Sequence, residues 1–229
     1  MYFPMIDSYY IILVLPTILI SLWAQMRVKS TFSKYSSILS TRNITGCDTA
    51  NTIMRYSSIN NVSVVPINGQ LTDNYNPKTN VISLSQPVYS STSIAAIGVA
   101  AHESGHAVQH HVGYFPIKIR NALVPVANIG SAAAIPLALF GLILGIPFLV
   151  NFGILLYSSI VLFQVATLPV EFNASRRAIN VLRQRDILSE DELKGAKKVL
   201  TAAALTYVAA TLTSLMSLLR LILIAKDRD

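Results

Sequence analysis

The stretch that opens Arg120-Asn121-Ala122-Leu123-Val124-Pro125 and closes Ala166-Thr167-Leu168-Pro169-Val170-Glu171 decides the fold, because no Asp, Glu, Lys or Arg lies between its two ends. A bilayer-spanning helix needs about 20 apolar residues, so a charge-free run of about fifty holds two spans and a short turn. Gly145-Ile146-Pro147, or Asn151-Phe152-Gly153 just after it, supplies the turn. The whole chain has the same character: of 229 residues, 52% are hydrophobic and only 13% charged. An ordinary soluble domain is about a quarter charged. This is a membrane protein.

Two further spans flank that pair. The first covers residues 9–25, with Asp7 before it and Arg27, Lys29 and Lys34 after it. A signal peptide carries its basic residues ahead of the apolar core, so this is an uncleaved anchor. The last covers residues 199–224, rich in Ala, Thr and Ser, with Arg220 placed to snorkel to the interface. The expected order in one unit is spans over 9–25, 123–145, 149–169 and 199–224, with polar segments over 26–120 and 170–198. Basic residues set the orientation. The first polar segment carries Arg27, Lys29, Lys34, Arg42, Arg55, Lys78, Lys118 and Arg120, the second Arg176, Arg177, Arg183, Arg185, Lys194, Lys197 and Lys198. The turn between the central spans carries none, so both polar segments face the cytoplasm. Lys226 and Arg228 then end on the other side, balanced by Asp227 and Asp229. Topology thus accounts for the net charge of +7, and no basic-aromatic motif points to nucleic acid. The single cysteine, Cys47, excludes an internal disulfide and reads as a small packing residue.

Within the first polar segment the hydrophobic period changes. Thr49 to Met54 fits an amphipathic helix, and Val62 to Ile67, Gln70 to Tyr75 and Val81 to Leu84 fit short strands around turns at Asn68-Gly69 and Asn76-Pro77. A small antiparallel sheet is the simplest arrangement. Ser91-Thr92-Ser93 then offers N-caps for a helix from Ile94 to His111, which Gly113 and Pro116 end.

That helix carries His102-Glu103-Ser104-Gly105-His106. Residues i and i+4 share a helix face, so both imidazoles reach one ion, and the glutamate is placed as general base: the H-E-x-x-H pattern of zinc hydrolases. Gly105 is either a tolerated glycine or room for a strand or substrate beside the ion. A catalytic zinc needs a third protein ligand. His110 is too far, roughly 12 Å along the axis from His102 at about 1.5 Å per residue, whereas ligand nitrogens lie about 2 Å from the ion. His111 faces elsewhere. Glu171, which follows the charge-free run, remains. It reads either as a ligand or as a first-turn glutamate of a helix starting after Pro169, where the helix dipole stabilises it. Alone, the second reading is stronger; beside a two-histidine site short of a ligand, the order reverses.

Several runs together resemble a known family: Gly69-Gln70-Leu71-Thr72-Asp73, Val88-Tyr89, Ser93-Ile94-Ala95-Ala96, the run from Val99 to Ala107, Leu123-Val124-Pro125-Val126-Ala127, and Glu171-Phe172-Asn173-Ala174-Ser175-Arg176-Arg177-Ala178. Nearly the whole chain is similar to the bacterial membrane neutral zinc metallopeptidases, the YugP-like proteins. The resemblance implies a mainly α integral membrane protein of the cell membrane, with about four transmembrane helices and a small cytoplasmic α+β zincin-like catalytic region. It also implies a gluzincin-type site with one Zn2+ on His102, His106 and Glu171, and Glu103 as base. That base takes the proton of the attacking water and delivers it to the leaving amine. Protein or peptide substrates, membrane-associated, and the lipid bilayer are the expected partners. A substrate strand adds to the edge of the sheet between Val62 and Leu84. The chain departs from the family at Asn74, Asn76 and Asn173, where His, Asp and Asp are usual. Asn173, Arg177 and Tyr75 are candidates for supporting a ligand or the transition state. The alternative is a catalytically silent zinc-binding scaffold, suggested by those departures; a transporter would want ionisable residues inside the central spans, which have none.

Overall fold

A computed structural model describes residues 7–227; Arg228 and Asp229 lie outside the described residues. Four helices are long and apolar enough to cross a membrane: α1 (Tyr10–Ser36), α5 (Phe115–Leu144), α6 (Pro147–Gln184) and α7 (Glu190–Lys226). Between α1 and α5 lie α2 (Gly46–Tyr56), β1 (Ser63–Ile67), β2 (Asn74–Asn76), β3 (Val81–Ser85), α3 (Gln86–Tyr89) and α4 (Ile94–His111). The chain forms two compact units. One contains Met1–Gln25, Lys118–Leu168 and Leu205–Asp229; the other contains Met26–Ile117 and Pro169–Ala204.

In the first unit, α5 and α6 form an antiparallel hairpin. The turn falls at Gly145, whose φ of +66° favours glycine, and Ile146 N–H closes it on the Gly141 carbonyl. Lipid-facing helices gain little from apolar burial against each other, so close approach of small residues must supply the contact. Gly130 lies against the Leu156 carbonyl, Gly141 against the Val150 backbone and Gly153 against Ala134 and Ala138. Ser21 of α1 and Thr213 of α7 add a hydrogen bond of 3.1 Å. Arg220 is paired with Asp7. Its Nη2 donates to Asp7 Oδ2 at 2.7 Å and its Nε to the same oxygen at 3.1 Å, with the Tyr10 ring 5.3 Å from the guanidinium. A paired charge near apolar surroundings costs far less than a lone one. The pair also joins the start of α1 to the end of α7.

In the second unit, α2 begins with a capping box in which Thr45 and Asp48 satisfy each other's backbone N–H. It buries Ala50, Ile53 and Met54. The sheet is mixed rather than antiparallel, in the order β1-β3-β2. β1 runs parallel to β3 (Ser63 opposite Val81), and β2 runs antiparallel (Tyr75 opposite Ile82). The expected strand at Gln70 to Tyr75 shrinks to Asn74–Asn76, because Gly69 and Leu71 both take positive φ and bend the chain there. That bend leaves room for β3 between the other two strands, where Ile82 and Leu84 are fully buried.

The Ser93 hydroxyl accepts the Ala96 N–H to start α4, and Gly113, at φ +64°, ends it. α4 is rich in Ala and Gly because it is surrounded: Ala95, Ala96, Ile97, Ala100 and Ala101 are fully buried. Gly98 faces Ala196 of α7, and Gly105 faces the backbone of α6 at Ala174. Gly105 thus makes room for neither a strand nor a substrate but for a second helix. A second correction concerns α6, which does not begin after Pro169: the proline lies inside a continuous helix of 38 residues. Apolar helices of membrane proteins tolerate such prolines where soluble ones break.

A Cβ at position 105 would sit 2.8 Å from the Ala174 carbonyl oxygen and 3.3 Å from two more backbone atoms of α6. Ala in a helix gains up to about 1 kcal/mol over Gly, but overpacking against backbone costs about 1–3 kcal/mol. Gly105→Ala should therefore lower the thermal unfolding midpoint in detergent. An unchanged or raised midpoint would mean that α4 and α6 do not touch there.

Candidate metal centre

α4 presents His102 and His106 on one face, their rings 4.7 Å apart centroid to centroid. α6 passes beside that face and contributes Glu171 from its interior, so the helix-dipole reading of a first-turn glutamate does not apply. Glu171 Oε2 lies 3.3 Å from His102 Nε2 and 3.5 Å from His106 Nε2. One ligand atom from each of the three residues falls within 4.8 Å of the others. His110 is not in this group; its ring packs edge-on against Tyr75.

The donor set fits a metal ion. Two imidazole nitrogens and one carboxylate oxygen are the usual zinc ligands. Glu171 Oε2 is buried and makes no well-formed hydrogen bond among the described residues, although both Nε2 atoms lie within ion-pair distance of it. A buried polar atom left so is costly unless something else occupies the point on which it and its neighbours converge. A cation at that point satisfies all three.

Both imidazoles are held from behind. His106 Nδ1 is 3.0 Å from Gln109 Oε1, and His102 Nδ1 is 3.1 Å from Ser175 Oγ. Neither partner is evident from motif spacing. The signals available are that Gln109, like Glu103, is a long polar side chain on the buried part of an Ala-rich helix, and that Ser175 lies one turn beyond Glu171. Glu103 is buried next to the pair. Burial pushes its carboxyl above the ordinary range, against the opposing pull of His102 and His106. Burial likewise raises Asp73, whose carboxylate accepts from the Ser85 N–H and hydroxyl.

The supporting candidates are all engaged. Asn173 Oδ1 accepts from Gln109 Nε2 at 3.0 Å and from Arg177 Nε at 2.8 Å. The Tyr75 hydroxyl bonds to Asn80 Oδ1 at 3.2 Å. Asn74 Nδ2 donates to the Thr72 carbonyl, and Asn76 Oδ1 accepts from the Lys78 N–H. Each departure from the family pattern thus has a local hydrogen bond.

The sequence profile of the family described as "Putative neutral zinc metallopeptidase" matches residues 10–226. The chain is 46% identical over 215 residues to the "Putative membrane protease YugP" of Bacillus subtilis (strain 168), covering 94% of this chain and 96% of that protein. No solved structure matches the chain.

Metal content of the purified protein tests the centre. About one zinc per chain is expected, as for a single three-ligand site, with loss in His106→Ala and in Glu171→Ala. Full occupancy in Glu171→Ala would remove that carboxylate from the ligand set.

Proposed function

We propose, for a chain that belongs to the neutral zinc metallopeptidase family, the activity of a zinc-dependent endopeptidase working at the cytoplasmic surface of the bacterial cell membrane. The observation that carries this reading is the convergence of His102, His106 and the buried, unpartnered Glu171 Oε2 beside a buried Glu103. His102, His106 and Glu171 hold the ion. Zinc bound there supplies Lewis acidity toward water and toward a substrate carbonyl.

The remaining chemistry is Glu103's. It follows a ligand directly in sequence and is rotated about 100° from it on the helix. A carboxyl with its affinity for protons raised by burial accepts a proton from the attacking water more readily than an exposed one. It then returns the proton to the leaving amine, so that one group serves both halves of peptide hydrolysis. The hydrogen bonds on the Nδ1 side keep both rings from rotating away.

The basic residues of the two polar segments favour a cytoplasmic site. Glu171 stands two residues after Pro169, where the expected third span ends, which favours membrane proteins or their membrane-proximal segments as substrates. β2 is an edge strand, and an extended substrate adding to such an edge gains main-chain hydrogen bonds without sequence preference.

Cleavage of an unfolded protein substrate by the wild type and by Glu103→Gln provides the test. Zinc in both proteins with cleavage in the wild type alone is the expected result; a lost general base typically costs 10²–10⁴-fold or more in rate. Zinc in both and cleavage in neither would replace the peptidase with a silent zinc-binding scaffold.

A further inference from the structure

Gln109 is fully buried, and its three hydrogen bonds leave its amide one orientation. Nε2 donates to the Val170 carbonyl at 2.8 Å and to Asn173 Oδ1 at 3.0 Å. The first partner is a backbone oxygen and can only accept. The second is fixed as an oxygen because Arg177 Nε, which can only donate, approaches the same atom at 2.8 Å. Turning the Gln109 amide over would set its oxygen against two oxygens. The oxygen therefore faces His106 Nδ1 at 3.0 Å, and that nitrogen must carry the proton. In the neutral ring the lone pair is then on Nε2, the atom 3.5 Å from Glu171 Oε2. His102 is held differently: its Nδ1 meets the Ser175 hydroxyl, which rotates to donate or to accept and so fixes no tautomer.

We propose that Gln109, anchored by Val170, Asn173 and Arg177, is a positioning residue that locks His106 in its Nδ1–H tautomer and keeps Nε2 ready to bind the ion. Arg177 then acts through Asn173 and Gln109 rather than on the reacting atoms. An asparagine at position 173 is sufficient for this, because the role asks only for an acceptor oxygen. The inference rests on the metal reading of the centre for its purpose but not for its geometry.

The experiment uses the full chain in detergent, with 15N-labelled histidine and with zinc affinity measured by chelator competition. The chain has 4 histidines, so the ring spectrum is simple to assign with a His106→Ala control. In the zinc-free wild type, at a pH where the rings are neutral, His106 should show a protonated Nδ1. Gln109→Leu should shift that ring toward the Nε2–H form and weaken zinc binding roughly 10- to 100-fold. Ser175→Ala should change affinity less than Gln109→Leu. An Nε2–H signal for His106 in the wild type overturns the proposal without any variant, and so does Gln109→Leu binding zinc as the wild type does. A wild type that binds no zinc would instead overturn the metal reading, and the ring spectrum would still decide the positioning.

Discussion

Glu171 reaches the two histidines because the backbones of α4 and α6 touch at Gly105 and Ala174, where even a single Cβ would press on a carbonyl oxygen. Two helices ordinarily pack with their axes 8–10 Å apart, a distance set by the side chains at the contact. With no side chain at the crossing, the α4 backbone approaches the α6 backbone directly. That approach lets a glutamate, a side chain with only two methylenes, place its oxygen within 3.5 Å of imidazoles on the neighbouring helix. The glycine between the two histidines is thus as much a part of the centre as the ligands are.

The same contact accounts for the composition of α4. A helix that buries almost every side among α2, α3, the sheet, α6 and α7 has no face for large side chains, and small ones let each neighbour approach. Three of the buried polar groups are answered by hydrogen bonds: Ser93 caps the first turn, Ser104 returns its hydroxyl to the Ala100 carbonyl, and Gln109 ties α4 to the α6 backbone at Val170. The last of these bonds crosses between the helices one turn beyond His106. Glycine and glutamine therefore fix the pair of helices at two levels, one on each side of that ligand.

Much of this was legible in the residues. The charge-free run, the glycine at 145 and the Ser93 cap have local causes, and local causes can be read from a short window. The histidine spacing is likewise a property of one helix. The sheet was not legible in the same way: alternation in Val81 to Leu84 tells which face is buried but not which strand lies beside it, and the parallel pairing of β1 with β3 follows from the Gly69 and Leu71 bends. Pro169 misled because a proline ends most helices, and only the apolar surroundings of α6 make it tolerable. Gln109 and Ser175 were missed because their partners are set by the crossing of α4 with α6, which no spacing within either helix reveals.

The continuity of α6 bears directly on what Glu171 requires. On a first turn, unpaired backbone N–H groups and the helix dipole would have stabilised its charge. Deep inside a long helix those N–H groups are already bonded to carbonyls, so the backbone offers the carboxylate nothing. It is also buried, so bulk water does not solvate its charge. What remains within reach is the pair of Nε2 atoms, and the Gln109 bond assigns the proton of His106 to the far side of its ring. A buried anion with a lone pair beside it is stabilised by positive charge at the point where they meet. The continuous helix thereby turns a glutamate that reads as an ordinary cap into one whose charge a cation shared with the two imidazoles would answer.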